Sequence, residues 1–531
     1  MPDQPPGPRP DQTVPQECDL FVIGGGVNGC GIARDAAGRG LRVVLAEKDD
    51  LGAHTSSAST KLFHGGLRYL EYFEWGLVRS ALQEREVLLR MMPHISWPLR
   101  FVLPVRSEMR FDGDTPTSRL LARVMPWSRG RRPGWLIRLG LFLYDTLGRR
   151  QILPGTRRVD LAGPEGQALA PGVSVAWEYS DCWVDDARLV ALNARDAAAR
   201  GATILTRAPV ASATREGHGA DAQWQITLAD GRRFAARALV NATGPWAGEV
   251  ETRTGAPRQP LRLVRGSHVI TRRLYEHDKC YFLQGADRRI VFLIPYEDDF
   301  TLIGTTDADH DDPDTPAICT KAERDYLLRI ASDQLGQTLT PADVVHSYAG
   351  VRPLLDSGGA TAAAATRDYD LRLEQDAGAP RLSVFGGKIT TYRKLSEQAV
   401  DQLAPLLGQP APGWTAGAPL PGGDFAQTDR PALHDRIAAA APFLTPAEVA
   451  RLLRSYGTEA LALLAGATTR ADMGRAFGAG LTAREADWLV AHEFATEAED
   501  ILWRRTKRGL HMSMAERTEF AEWFSAERKI L

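Results

Sequence analysis

The sequence predicts an α/β fold in which a Rossmann-like nucleotide-binding part is combined with an antiparallel sheet and followed by an all-α C-terminal domain. Three observations predict it. Asp19-Leu20-Phe21-Val22-Ile23-Gly24-Gly25-Gly26-Val27-Asn28-Gly29 is a short apolar strand running into G-x-G-x-x-G. Residues 261–310 alternate apolar and polar, as in a sheet floor. Beyond a Pro/Gly-rich break at residues 408–423, the chain reads as helices with clear caps.

The opening motif has a mechanical reading. Gly24 suits a tight turn, Gly26 lets a pyrophosphate approach the backbone, and Gly29 lets the helix pack close to its strand. The helix N-terminus then offers N–H groups and a positive dipole end to phosphate. Residues 32–38 read as an Ala-rich helix and residues 41–46 as a second strand, with Glu47 at its end to accept hydrogen bonds from an adenosine ribose. A Ser/Thr loop at residues 54–61 leads into His64-Gly65-Gly66-Leu67-Arg68-Tyr69-Leu70, and residues 72–92 show helical periodicity. Asp185-Asp186-Ala187 caps a helix ending near Gly201. Residues 222–228 are a strand, Asp230-Gly231 its turn, and Phe234 onward the return. The return ends in Ala242-Thr243-Gly244, small residues that pass close beneath a nucleotide; together with the opening motif they favour a flavin fold over a simple NAD domain. Residues 344–395 return to short strands and glycine turns. Thr445-Pro446-Ala447-Glu448, Thr482-x-x-Glu485 and Ser513-x-x-Glu516 are capping signals of the last domain.

Composition narrows the partners. The 531 residues carry a formal net charge of −2, so no basic field points to nucleic acid. Five cysteines without a C-x-x-C pair indicate neither a disulfide scaffold nor a metal site. Residues 1–16 read as a disordered tail and not a signal peptide, which favours a cytoplasmic-face location at a plasma membrane, with bulk cytoplasm as the alternative. No stretch is apolar enough to span a bilayer. Residues 119–143 nevertheless mix Arg119, Arg123, Arg129, Arg131, Arg132 and Arg138 with Trp127, Trp135 and the apolar run from Leu136 to Leu143. Two readings fit them equally: a segment lying on an anionic lipid surface, or an internal helix beside a solvated Arg-rich loop.

Several longer runs carry a resemblance. They are the opening motif, Ser56-Ser-Ala-Ser-Thr-Lys-Leu-Phe-His-Gly-Gly-Leu-Arg-Tyr-Leu-Glu71, Asp181-Cys-Trp-Val-Asp-Asp-Ala-Arg188, Arg265-Gly-Ser-His268, Tyr348-Ala-Gly-Val-Arg-Pro353 and Phe385-Gly-Gly-Lys-Ile-Thr-Thr-Tyr-Arg393. Over about residues 17–520 the chain resembles the FAD-dependent respiratory glycerol-3-phosphate dehydrogenases. The resemblance implies a flavoprotein of the D-amino-acid-oxidase type with a helical cap. It also implies oxidation of sn-glycerol 3-phosphate to dihydroxyacetone phosphate, with electrons passing to a membrane quinone. The expected organisation is an oxidoreductase part at 17–404 and a helical domain at 405–531. Within the first, 17–75, 181–260 and 344–404 would bind FAD, and 76–180 and 261–343 would serve substrate and membrane.

The chemistry needs a held phosphate dianion, removal of a hydroxyl proton and delivery of hydride to flavin N5. Arginine suits the phosphate because its fork matches the oxygens. Arg68 after Gly65-Gly66, and Arg352 between Gly350 and Pro353, are the clamp candidates, against the commoner reading as structural ion pairs. Tyr69 offers a hydroxyl or a packing ring. His268 is the preferred general base, against a satisfied structural histidine. Lys388 would stabilise developing negative charge and also belongs to the substrate and cofactor sets. Catalysis is thus assigned to His268, Lys388 and Arg352. The cofactor is expected at Gly24, Gly26, Asn28, Gly29, Glu47, Lys48, Thr55, Ser56, Ser57, Lys61, His64, Gly66, Ala242, Thr243, Gly244, Gly386, Gly387, Lys388, Thr390 and Thr391. His64 would touch flavin or hold its turn. A covalent tether is not demanded, and the oligomeric state stays open, a homodimer being one option. The rival readings are an O2-using oxidase of the same fold, an amine oxidase, and a non-catalytic flavin-binding sensor.

Overall fold

The computed structural model describes residues 16–106, 109–111, 115–124, 134–148, 150–355, 369–376 and 378–528. Strand Glu17–Ile23 lies between parallel strands Arg233–Asn241 and Val43–Ala46. The parallel set extends to Thr203–Leu205 on one side and Arg381–Gly386 on the other. Leu20, Phe21 and Val22 are fully buried, which explains their unbroken apolar run: a parallel strand is covered on both faces. Helix Val27–Gly38 covers one face together with Asp186–Ala199 and Tyr392–Leu403. Their contact is built on Ala33, Ala36, Ala194, Ala197 and Ala399, whose small side chains permit close approach. The expected hairpin forms, Gln223–Leu228 pairing antiparallel with Arg233–Asn241.

The second sheet is antiparallel apart from one parallel contact, between Cys280–Gln284 and Ser96–Val105. At its centre Leu261–Arg272 pairs with Phe300–Gly304, Ala308–His310 and Val344–Leu355. Here the structure differs from the sequence reading, which gave residues 344–404 to the nucleotide part. Val344–Leu355 instead forms a twelve-residue strand matched to Leu261–Arg272 in the second sheet, and the chain rejoins the first sheet with Tyr369–Glu374. Leu62–Phe63 also pairs into the second sheet, against Val175–Val184. The sequence could not show this, because a short strand carries no mark of its partner.

Beyond the break, helices Arg430–Ala440, Pro446–Tyr456, Ala483–Glu493 and Met514–Arg528 bury Leu433, Ile437, Leu452, Tyr456, Leu489 and Phe520 together. Thr445 and Glu448 form a reciprocal capping box, and so do Ser513 and Glu516. Thr482 caps its helix by accepting from the Glu485 N–H. This region docks on the nucleotide part through buried ion pairs. Arg505 meets Asp50 with both nitrogens at 2.7 Å, and Arg188 meets Glu493 at 2.7 and 2.9 Å.

Two helices, Pro116–Val124 and Gly134–Leu147, carry the described part of the Arg-rich stretch. The second turns Leu141 and Tyr144 inward but leaves Trp135, Leu139 and Phe142 44–60% exposed; Leu120 on the first is 56% exposed. The stretch thus has a buried side and an exposed apolar side. Trp127, Arg129, Arg131 and Arg132 lie outside the described residues, as do residues 1–15 of the tail. Among the described residues no helix is long and apolar enough to cross a membrane.

Candidate active site

A cavity of about 570 Å³ runs between the two sheets. One end is built at the carboxyl ends of the parallel strands, where open α/β sheets bind ligands: Ile23-Gly24, Ala46-Glu47-Lys48, Ala242-Thr243-Gly244 and Gly386-Gly387-Lys388 line it. Gly24 has φ +109°, and a Cβ there would meet the Ala242 carbonyl oxygen at 2.6 Å. A Cβ at Gly29 would lie 1.9 Å from the Gly24 oxygen, so that glycine sets the close helix packing. Gly26 meets only Ser56 Oγ, at 3.1 Å, leaving its backbone open towards the cavity.

The loop is pre-organised. Glu47 Oε2 accepts from the Gly25 N–H at 2.6 Å, and Oε1 from the Asp49 N–H at 2.9 Å. Burial, outweighing those two bonds, raises the Glu47 pKa. Val27 N–H donates to Ser56 Oγ at 3.0 Å, so one N–H of the helix start is already used. Asn28 Nδ2 donates to the Gly386 carbonyl at 3.4 Å, while its buried Oδ1 has no hydrogen-bond partner among the described residues. Lys48 lies 3.6 Å over the Trp246 ring, whose Nε1 donates to Asp314 at 2.7 Å; all three line the cavity.

The other end is built by the second sheet. His268 and Arg352 sit on neighbouring strands, four residues apart along the ladder, and both line the cavity. His268 is buried. Desolvation, then the Arg352 and Lys61 charges, push its pKa well below the usual imidazole value, so the ring is held neutral. Arg352 forms an ion pair with Asp307, donates to Thr305 Oγ1 at 3.0 Å and donates to the Thr306 carbonyl at 3.3 Å. That turn is itself held: Thr306 Oγ1 donates at 2.8 Å to Glu323, which also takes Ser267 and Arg265. A Cβ at Gly266 would fall 2.1 Å from Arg352 Nη2, so a bare backbone makes room for the guanidinium. Lys388 lies 4.0 Å over the Tyr69 ring, and both border the cavity beside His64.

Residues 19–387 match the model of the FAD-dependent oxidoreductases, and residues 414–522 that of the C-terminal domain of alpha-glycerophosphate oxidase. The chain is 46% identical to a glycerol-3-phosphate dehydrogenase of Pseudomonas aeruginosa, over 98% of this chain and 97% of that one. It belongs to the FAD-dependent glycerol-3-phosphate dehydrogenase family. An aerobic glycerol-3-phosphate dehydrogenase of Escherichia coli is 42% identical over 95% of this chain and 97% of its own length. A D-erythritol 1-phosphate dehydrogenase of Brucella abortus is 48% identical over 96% of this chain and 98% of its own length. The solved glycerol-3-phosphate dehydrogenase of Bacillus halodurans, complexed with FAD, superposes with a TM-score of 0.68 at 24% identity, covering 96% of this chain and 94% of that one; it shares the fold.

The cavity suits the family's FAD: an open Gly26 backbone, an Asn28 Oδ1 without a partner among the described residues, and a carboxylate at Glu47 all face it. Not every sequence-derived site residue reaches it. Gly24, Gly26, Asn28, Glu47, Lys48, Thr55, Ser56, His64, Tyr69, Ala242, Thr243, Gly244, His268, Arg352, Gly386, Gly387 and Lys388 line the cavity. Gly29, Ser57, Lys61, Gly66, Arg68, Thr390 and Thr391 do not. The Thr390 hydroxyl bonds the His64 backbone, and Thr391 donates to the Lys388 carbonyl, so both shape the wall from behind. Lys61 is buried on Asp186 and the Ser57 carbonyl. Arg68 is half-buried beside Tyr69 in the 3-10 segment Leu67–Tyr72. Sequence reasoning missed Asp307, Thr305, Thr60 and Tyr348 as members of the reactive end. Thr60 and Tyr348 stood inside the quoted motifs; nothing in the sequence marked Asp307 as the partner of Arg352.

Proposed function

We propose that this chain oxidises sn-glycerol 3-phosphate to dihydroxyacetone phosphate and passes the electrons to a membrane quinone. The observation that carries the reading is the convergence of His268 and Arg352 on the cavity walled by the nucleotide loop. Bound FAD supplies the acceptor for the hydride. The remaining work falls to side chains. Arg352, steadied by Asp307 and Thr305, holds the phosphate through charge-assisted hydrogen bonds. His268 takes the hydroxyl proton. Burial first, and the Arg352 charge after it, depress the imidazole; the arriving phosphate offsets that charge, so the base strengthens when substrate is present. Lys388, beside Gly386-Gly387, stabilises negative charge as it develops. Arg68, next in the chain to cavity-lining Tyr69, is the second phosphate candidate.

The membrane half of the reading draws on the outward faces of Pro116–Val124 and Gly134–Leu147. Exposed Leu120, Trp135, Leu139 and Phe142 stand beside Arg119, Arg123 and Arg138, a composition suited to an anionic lipid interface. On this reading the enzyme is peripheral, at the cytoplasmic face of the membrane that holds its quinone.

The deciding experiment adds sn-glycerol 3-phosphate anaerobically to the flavin-loaded protein and follows flavin absorbance. Rapid bleaching, absent with glycerol, is expected; a flavin that stays oxidised would overturn the substrate assignment. The Brucella relative supports a second reading, a four-carbon polyol phosphate. Comparing kcat/KM for sn-glycerol 3-phosphate and D-erythritol 1-phosphate separates the two.

A further inference from the structure

His268 is held on several sides. Tyr348, from the neighbouring strand, stacks on its ring with centroids 4.8 Å apart and planes 17° from parallel. Across the other neighbouring strand stands Gly304, where a Cβ would fall 1.9 Å from ring Cδ2. Only a bare backbone admits the imidazole there. Each ring nitrogen can make one hydrogen bond. At Nε2 that bond is taken by Thr60 Oγ1, 3.0 Å away. Nδ1 is buried and has no hydrogen-bond partner among the described residues. Thr60 and His268 both line the cavity. Because Nε2 offers a single hydrogen-bonding direction and Thr60 Oγ1 occupies it, a proton bound for Nε2 passes through the Thr60 hydroxyl.

That hydroxyl is fixed by what surrounds it. Asp186, fully buried at the start of its helix, grips the residues on both sides of Thr60. Ser59 N–H and Oγ donate to Asp186 Oδ2 at 3.2 and 2.7 Å, and Lys61 Nζ donates to Oδ1 at 2.7 Å. Tyr348 donates its hydroxyl to the Ser59 carbonyl at 2.8 Å. The ring stacked on His268 and the hydroxyl bonded to it are thus tied to the same three-residue loop.

We propose that Thr60 is a catalytic residue whose hydroxyl relays the alcohol proton from the substrate to His268. The inference rests on the reading of His268 as the base. The substrate O–H bond breaks and its proton joins Thr60 Oγ1. The original Thr60 O–H bond breaks and that proton joins His268 Nε2. The electron pair of the substrate C–H bond leaves as hydride to the flavin, and the carbon–oxygen bond becomes a carbonyl. One proton ends on the imidazole and two electrons end on the cofactor.

The test uses the flavin-loaded protein, with anaerobic reduction by sn-glycerol 3-phosphate followed by stopped-flow absorbance. Thr60→Val removes the hydroxyl and keeps the shape; Thr60→Ser keeps the hydroxyl. Thr60→Val is expected to lower the limiting reduction rate about 100-fold, with an unchanged oxidised-flavin spectrum and half-saturation within about threefold of the parent. Thr60→Ser is expected to stay within about threefold of the parent rate. Because the two groups act as one path, Thr60→Val with His268→Ala is expected to be no slower than the slower single variant. Should Thr60→Val fail to hold flavin, Thr60→Ala carries the same readings. A parental rate in Thr60→Val beside a slow His268→Ala would overturn the relay and spare the base. A parental rate in His268→Ala would overturn the base, and the relay with it. Multiplying losses in the double variant, or a slow Thr60→Ser, would also sink the relay.

Discussion

Arg352 is committed before any substrate arrives, since Asp307, Thr305 and the Thr306 carbonyl already hold its guanidinium. A lysine in its place keeps the charge but cannot grip that socket and a phosphate together, because it lacks the planar fork. One charge-assisted hydrogen bond, worth roughly 1.5–3 kcal/mol, is then lost. Arg352→Lys should therefore raise KM about 10- to 100-fold while the flavin stays bound; steady-state kinetics with an absorbance check of FAD content tests this. The pH dependence follows from the imidazole. His268 is depressed chiefly by burial and further by Arg352 and Lys61, so as pH falls it remains unprotonated through the ordinary histidine range. When kcat/KM is referred to the substrate dianion, it should stay level from pH 8 down through 6.5; an acid limb at or above 6.5 would contradict a neutral, depressed His268. At this scale the sequence exposed residue types set among backbone-shaping neighbours, as with His268 after Arg265-Gly266-Ser267 and Arg352 between Gly350 and Pro353. It hid their partners. Asp307 stands 45 positions from Arg352, and Thr60 stands 208 positions from His268, separations that only folding brings to hydrogen-bond range.

Elements supply the room and the stiffness that those side chains need. The ladder between Leu261–Arg272 and Val344–Leu355 sets Gly266 against Gly350 and His268 against Tyr348, so one register fixes His268, its stacking ring and the gap that admits Arg352. Gly266→Ala should push the guanidinium aside, because its Cβ would stand 2.1 Å from Nη2, at the free end of a long side chain. A several-fold rise in KM with a nearly unchanged melting temperature is expected, measured by steady-state kinetics and thermal denaturation; a large loss of Tm with normal KM would place the strain in the strand instead. The nucleotide strand, the Asp185 cap, the hairpin at Asp230-Gly231 and the C-terminal capping boxes were legible because each is a local signal. Sheet membership of Val344–Leu355 was not, because alternation tells which face a residue takes and not which sheet receives the strand. A contact between elements gives another prediction. The π-helical turn Asp500–Arg505 delivers Arg505 to Asp50, three residues beyond Glu47, with both side chains almost wholly buried. Arg505→Met would remove both of its hydrogen bonds to Asp50 and leave that carboxylate, among the described residues, to Arg504 alone, at a cost of about 1.5–3 kcal/mol. Denaturant unfolding of the flavin-free protein should register the loss, and a change under 1 kcal/mol would mean that the pair contributes little.

The molecule as a whole separates its chemistry from its proposed membrane contact. His268, Arg352 and Thr60 sit where the two sheets meet, whereas Leu120, Trp135, Leu139 and Phe142 face outward on helices beside the second sheet, with Phe73 and Trp75 stacked at 5.9 Å and also exposed. Tyr69 borders the cavity, and the same 3-10 segment is tied to the outer helix by Thr117, which donates to the Glu71 carbonyl at 2.9 Å. If the outward face lies on lipid, removing its apolar anchors should release the protein without disturbing catalysis. Burying Trp135 and Phe142 in the interface contributes at least roughly 1.5 kcal/mol each, and 1.4 kcal/mol is a factor of ten. Trp135→Ser with Phe142→Ser should therefore lower partition onto anionic vesicles by about 100-fold in a pelleting assay, while anaerobic flavin reduction by substrate stays at the parental rate. Raising salt should weaken the parent's binding, because Arg119, Arg123 and Arg138 near an anionic surface contribute about 1 kcal/mol each at moderate ionic strength. Activity with a lipid-embedded quinone should fall along with partition, and activity with a water-soluble acceptor should not. Unchanged pelleting in the double variant would assign these side chains to a protein contact and remove the lipid surface from this face.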